Sequence, residues 1–122
     1  MRVACDFFLE SLFFHQHGMS EDKEYRRYST SEISEQMVKL KNWKLIKGKL
    51  HREMEFRTFD DVVTFMMRAS LEITKLDHHP EWYNVYNQLT IDLVTHDLGG
   101  ISGYDFLLAK KMDEIAKTFR VR

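Results

Sequence analysis

Two stretches alternate apolar and polar side chains around short breaks, and they constrain the fold more than any other feature. In the first, Leu50, Arg52, Met54 and Phe56 alternate with His51, Glu53, Glu55 and Arg57. A period of two puts the first set on one face of a strand and makes that face mainly apolar. Trp43 to Ile46 forms a shorter strand before it, joined through Lys47-Gly48-Lys49, where glycine tolerates the positive φ of a tight turn. In the second stretch, Trp82 to Asn87 is rich in aromatic and β-branched residues. It leads into Leu89, Ile91 and Leu93, which alternate with Thr90, Asp92 and Val94.

Helical periods lie between and around these pairs. Ser29 and Glu32 have capping-box spacing. Ile33, Met37 and Leu40 follow at helical intervals, and Asn42 ends this first helix. A second helix starts near Thr58, with Asp60 and Asp61 at the positive end of its dipole. Its expected face is Phe59, Val62, Val63, Met66, Ala69, Ser70 and Ile73. It stops before Asp77-His78-His79-Pro80, since proline disfavours helical backbone in the residue before it. Ser102 with Asp105 resembles a third cap, followed by a core stripe of Leu108, Met112, Ile115 and Phe119.

The order is α-β-β-α-β-β-α. Hairpin-linked pairs favour a four-stranded, mainly antiparallel sheet, and helices with one apolar stripe each cover one face of it. The expected fold is an α+β two-layer sandwich with three helices on one face, occupying residues 29–122 as a single domain. Residues 1–28 read as an N-terminal extension, either a flexible lead or a short helix.

Composition excludes several functions. The chain has 122 residues, which suits one domain. Its formal net charge is −1, and it carries no basic run of the kind that grips nucleic acid. Lys117 to Arg122 reads as a solvated tail. Cys5 is the sole cysteine, which excludes an intrachain disulfide and fits a reducing compartment. The longest apolar cluster, Phe7 to Phe14, contains Glu10 and is too short to span a bilayer. The expected location is cytoplasmic, with a nuclear location left open.

Chemically useful side chains concentrate in Asp77-His78-His79-Pro80-Glu81-Trp82 and Thr95-His96-Asp97. Histidine exchanges protons near neutral pH because its unperturbed pKa is about 6.5. Adjacent histidines point in different directions, and a loop held by Pro80 can aim both at a pocket. His96 stands where a strand runs out toward Gly99-Gly100. Its parity with Thr90 and Asp92 keeps it off the core face. Trp82 and Tyr83 offer flat surface for a planar heterocycle. Plainer readings stand beside these: a solvated His-His loop, a strand-end histidine on a backbone carbonyl, a helix-capping Asp105 and a core Trp82. A zinc site is a further reading, but adjacent histidines are awkward ligands. His15-Gln16-His17 has better spacing and sits in the lead. No metal is expected.

At these residues the chain resembles the pterin-4a-carbinolamine dehydratase family, whose animal members also act as dimerisation cofactors of a homeodomain transcription factor. The resemblance rests on Asp77-His78-His79-Pro80-Glu81-Trp82, Asn84-Val85-Tyr86-Asn87, Leu93-Val94-Thr95-His96-Asp97, Gly99-Gly100-Ile101-Ser102, and Asp105 with Leu108-Ala109. A weaker match upstream includes Trp43, Arg52 to Phe56 and Phe59 to Met67. Together they cover about three quarters of the chain.

The resemblance implies dehydration of 4a-hydroxytetrahydrobiopterin to quinonoid dihydrobiopterin and water, in tetrahydrobiopterin recycling. His78, His79 and His96 would be the acid–base set, with acid and base unassigned among them. Asp77, Pro80, Trp82, Thr95, Asp97, Leu98 and Asp105 would join the histidines in binding the pterin, Asp105 either by orienting a histidine or by meeting the substrate edge. No metal or organic cofactor is implied. A homodimer or homotetramer is implied, formed through the last helix, where Phe106, Leu107 and Ala109 widen the apolar surface. One departure stands out: many family members carry Glu four residues before the first histidine, and this chain has Thr74. Two rival readings are a binding protein that stabilises a partner's oligomer, as a transcriptional coactivator does, and a member that binds pterin without turnover. The intact histidines speak against the second.

Overall fold

Lys47 and Gly48 both take positive φ, 53° and 76°, which is the twist a two-residue hairpin turn requires. The turn joins β1 (Lys44–Ile46) to β2 (Lys49–Glu55). The computed structural model describes residues 24–122. Its remaining elements are α1 (Thr30–Met37), α2 (Phe59–Leu76), β3 (Glu81–Val85), β4 (Gln88–Leu93), a 3-10 turn (His96–Leu98) and α3 (Gly103–Ala116). The sheet order is β1-β2-β4-β3, and every pairing is antiparallel. Expectations about the apolar cluster at 7–14 and the histidines at 15 and 17 lie outside the described residues.

The α+β sandwich expected from the periodicity is the fold observed. Leu50, Met54, Leu89, Ile91 and Leu93 are all at most 2% exposed and form the covered face of the sheet. Val62, Phe65, Ala69 and Ile73 of α2 pack on it with Leu108 and Met112 of α3. Burial of side chains this size stabilises by roughly 1.5–3 kcal/mol each. Ile33 and Met37 join α1 to the same core.

Arg52 sits on the covered face, almost fully buried. It donates to Asp113 of α3, which also accepts from the Trp43 indole at 2.8 Å. A buried cation is tolerable there because it is paired and hydrogen-bonded.

Four expectations need correction. The first helix ends at Met37, not Asn42. Three-residue turns over 36–43 then drop Leu40 and Trp43 into the core. The buried stripe of α2 is rotated from the expected one. Phe65 is fully buried, whereas Phe59, Val63 and Ser70 are exposed. The helix carries two apolar rows, and only the Val62-Phe65-Ala69-Ile73 row meets the sheet. Phe59, Val63, Met67 and Leu71 form an exposed row one turn apart. The chain end is no solvated tail: Arg122 and Glu55 exchange backbone hydrogen bonds at 2.8 Å, and Phe119 packs edge-on to Phe56 and Phe65. Finally, of the three residues expected to widen the apolar surface of the last helix, Phe106 and Ala109 are buried within the chain, Phe106 stacked on Tyr28, and only Leu107 is half-exposed. No helix among the described residues is long and apolar enough to cross a membrane.

The other sheet face is open and polar. His51 stands there between Glu53 (Nε2, 3.0 Å) and Asp92 (Nδ1, 2.8 Å). Glu53 first and then Asp92 hold its pKa above the usual 6.5, against partial desolvation. A raised folded-state pKa contributes stability in full below pH 6.5, lost as pH rises through the raised value. Melting temperature should therefore fall by about 1–3 °C on that account between roughly pH 6 and pH 8. His51→Gln should flatten this limb in a pH series of thermal melts, and an unchanged limb would refute the assignment.

Candidate active site

The site begins where α2 stops. Asp77 adopts the left-handed conformation, φ 51° and ψ 44°, which short polar side chains tolerate. Its N–H and that of His78 return to the carbonyls of Thr74 and Ile73, closing the helix. Pro80 then blocks further helix, and the two histidines leave the backbone in opposite senses. His78 goes inward, only 8% exposed. His79 stays in solvent.

Inside, His78 meets Asp105. Its Nε2 lies 2.5 Å from Asp105 Oδ1, and the Asp105 side chain is fully buried. The other carboxylate oxygen accepts from the Ser102 backbone N–H at 3.0 Å and the Thr95 hydroxyl at 2.8 Å. The Thr95 hydroxyl has one hydrogen and gives it to Asp105. Ser102 must therefore donate the bond between the two hydroxyls, at 2.6 Å. Every oxygen of this buried group is satisfied, as a carboxylate out of water requires. An ionised carboxylate can only accept, so His78 carries its hydrogen on Nε2 and Nδ1 is left for other work.

The Asp105 capping box is real, and the same side chain anchors the histidine. Asp105 thus closes the cap and meets His78 at the same time.

His96 opens the 3-10 turn that follows β4. The turn is closed by mutual backbone bonds between Thr95 and Gly100, and Gly99 takes φ 66°. His96 Nε2 lies 2.9 Å from Glu81 Oε2, and Glu81 Oε1 accepts from Lys49 at 2.7 Å. Lys49 first, then His96, pulls the Glu81 pKa below its usual 4.5, against slight desolvation. His79 Nε2 is 3.4 Å from Asp77, a long and weak contact. Each histidine thus has a carboxylate at Nε2, with tightness falling from His78 to His96 to His79.

A cleft of about 220 Å³ unites Asp77, His78, His79, Thr95, His96 and Asp97, with Val94, Tyr25 and Tyr104. A larger cleft, about 540 Å³, lies beside Lys39, Arg52 and Asp113, but no histidine lines it. Pro80, Trp82, Leu98 and Asp105 do not line the histidine cleft. Trp82 pairs with Ile91 across β3 and β4 and packs, half-buried, against the core, and it does not line the histidine cleft. Thr74 is exposed and does not border the cleft. Among the described residues no three His, Cys, Asp or Glu side chains are grouped to hold a metal ion.

Sequence reasoning missed Glu81, Tyr25 and Tyr104. Glu81 has one signal, a parity opposite to the core-facing Trp82, which places it on the open face near the end of β4. Tyr25 had none.

Residues 26–115 match the model of the family described as Pterin 4 alpha carbinolamine dehydratase; Tyr25 stands just outside the matched span. A relative in Solibacter usitatus (strain Ellin6076) that carries the pterin-4-alpha-carbinolamine dehydratase name is 49% identical over 90 residues, covering 74% of this chain and 95% of that protein. A relative in Rhizobium meliloti (strain 1021) carrying the same name is 39% identical over 93 residues, with coverage of 75% and 89%. The crystal structure of a Brucella melitensis protein described as a transcriptional coactivator/pterin dehydratase superposes with TM-score 0.72 at 38% identity. It covers 75% of this chain and 99% of that one.

The Asp105 node makes a sharp expectation. In Asp105→Asn the amide NH₂ must face either the His78 N–H or the two donors at Oδ2, leaving buried groups unmatched. Denaturant unfolding should show a loss of about 1–3 kcal/mol. A loss below about 0.5 kcal/mol, the size of an ordinary surface change, would mean that the node does not hold the fold.

Proposed function

This chain belongs to the pterin 4 alpha carbinolamine dehydratase family, and we propose that it converts a 4a-hydroxytetrahydropterin to quinonoid dihydropterin and water, with histidines as the acid–base groups. The observation that carries this reading is the convergence of His78, His79 and His96 on one cleft, each with Nε2 beside a carboxylate.

The reaction is a rearrangement of protons and one bond. The C4a–O bond breaks and the 4a-hydroxyl takes a proton to leave as water. The N5–H proton is lost, and the N5 electrons form the N5=C4a double bond. One proton is donated and one is taken, so the enzyme's proton count is unchanged; a proton passed from the base to the acid through water restores its starting state, and no oxidant or reductant is needed. A positioned acid or base contributes typically about 10²–10⁴-fold.

His78 and His96 are the ones held in place. With Nε2–H directed at Asp105 and Glu81, each keeps Nδ1 as the nitrogen that can accept a proton, and a histidine oriented this way needs no reorganisation when it does so. His79, exposed and loosely tethered, suits exchange of the proton with water. Asp77, Thr95 and Asp97 line the cleft and are the binding groups in this reading. Tetrahydrobiopterin recycling is the role that such an activity would serve.

A partner-binding role is the second reading, and the exposed row of Phe59, Val63, Met67 and Leu71 is the observation that favours it. The same row is the surface through which the homodimer or homotetramer would form, in place of the last helix. A monomeric mass by light scattering at micromolar concentration would overturn the oligomer.

The activity is tested with synthetic 4a-hydroxytetrahydropterin, followed by ultraviolet absorbance with the uncatalysed rate subtracted. Wild type should accelerate dehydration, and His78→Ala and His96→Ala should each lose roughly tenfold or more. No acceleration by folded wild-type protein would sink the reading.

A further inference from the structure

Residues 24–28 form a short strap laid across the start of α3. Arg27 bridges Ser102, and the Tyr28 N–H donates to the Ile101 carbonyl at 2.8 Å. The Tyr28 ring stacks on Phe106 with centroids 5.8 Å apart. Its hydroxyl donates to the Glu24 carboxylate. The strap sits where it does because two residues beneath it carry no side chain. A Cβ on Gly100 would come within 2.8 Å of Arg27 Nε. One on Gly103 would run into the Glu24 carboxylate and within 2.7 Å of the Tyr28 hydroxyl.

This seating delivers Tyr25 to the histidine cleft. Its hydroxyl donates to Asp97 Oδ2 at 3.2 Å, and its ring meets Tyr104 edge-on at 5.2 Å. Tyr104 in turn stands edge-on to the His78 ring at 5.7 Å. The Tyr25 phenol is kept protonated, since partial desolvation and then the Asp97 charge push its pKa up.

A planar heterocycle needs flat apolar surface as well as polar groups. Trp82 packs against the core and does not line the cleft. Of the residues that line the cleft, Tyr25 and Tyr104 alone are phenolic rings; the rest, apart from Val94, are polar or titratable. We infer that Tyr25 is a substrate-binding residue, its ring braced by Tyr104 and packed against the bicyclic pterin. The inference rests on the dehydratase reading and adds to it a contact from outside the family's matched span.

The test uses the full chain with Tyr25→Leu, which keeps bulk without a flat ring, and Tyr25→Phe, which keeps the ring without the Asp97 bond. Two quantities are read: kinetics on 4a-hydroxytetrahydropterin, and binding of unreactive L-biopterin by its fluorescence. Stacking a heterocycle on an aromatic side chain supports an expectation that Tyr25→Leu raises both KM and the biopterin Kd by about fivefold or more, with kcat held within about threefold. Tyr25→Phe, which keeps the ring, should lose clearly less than Tyr25→Leu in both constants. An active wild type with Tyr25→Leu constants changed by less than about twofold would overturn the inference and leave the dehydratase reading standing. Equal losses in Tyr25→Phe and Tyr25→Leu would overturn the ring contact in favour of the Asp97 bond. A folded wild type that neither turns over substrate nor binds biopterin would bring down both.

Discussion

The buried carboxylate of Asp105 is the constraint on which the rest of the site depends. It takes donors from three segments: the loop after α2, the segment after β4, and the backbone at the start of α3. Burying a carboxylate is costly unless its lone pairs are filled, so the three segments must assemble together or not at all. The same satisfaction that makes the group tolerable fixes the His78 ring. Capping α3 and orienting a histidine are therefore one act, performed by one side chain.

The three histidines show how a small fold grades rigidity across one cleft. His78 is locked inside on a buried partner. His96 is tethered at the surface through Glu81 to Lys49, which spans the open sheet face from β2 to β3. His79 is nearly free. An oriented ring is what proton transfer to bound substrate requires, whereas exposure is what exchange with water requires. The cleft holds one ring of each kind, His78 oriented and His79 exposed.

A second buried polar group, Arg52 with Asp113 and Trp43, sits at the other end of the core. It ties β2 and the segment entering β1 to α3. Together the two nodes hold α3 at both ends; none of its apolar side chains is exposed, whereas α2 leaves a second apolar row outside.

Much of the architecture was legible because it rests on local periods and on the chemistry of caps and turns. Period-two alternation placed β2 and β4. Ser29 with Glu32, Thr58 with Asp61, and Ser102 with Asp105 marked the three helix starts, since a cap is made within four residues. The cluster of His78, His79 and His96 was legible from residue type and a resemblance in spacing. Other features depended on distance in space. Which of the two apolar rows of α2 faces the sheet is decided by how α3 packs, and nothing in its own residues says so. Trp82 reads from the sequence as core or as pocket, and its register opposite Ile91 lays it against the core. Glu81 met His96, and Tyr25 entered the cleft, only through a hairpin and a strap seated on Gly100 and Gly103. By itself the sequence determined the elements, their order and the residues able to move protons, because these follow from near neighbours along the chain. The tertiary structure alone decided which carboxylate holds which histidine and which aromatic ring faces the cleft, because those pairings join residues up to 72 positions apart.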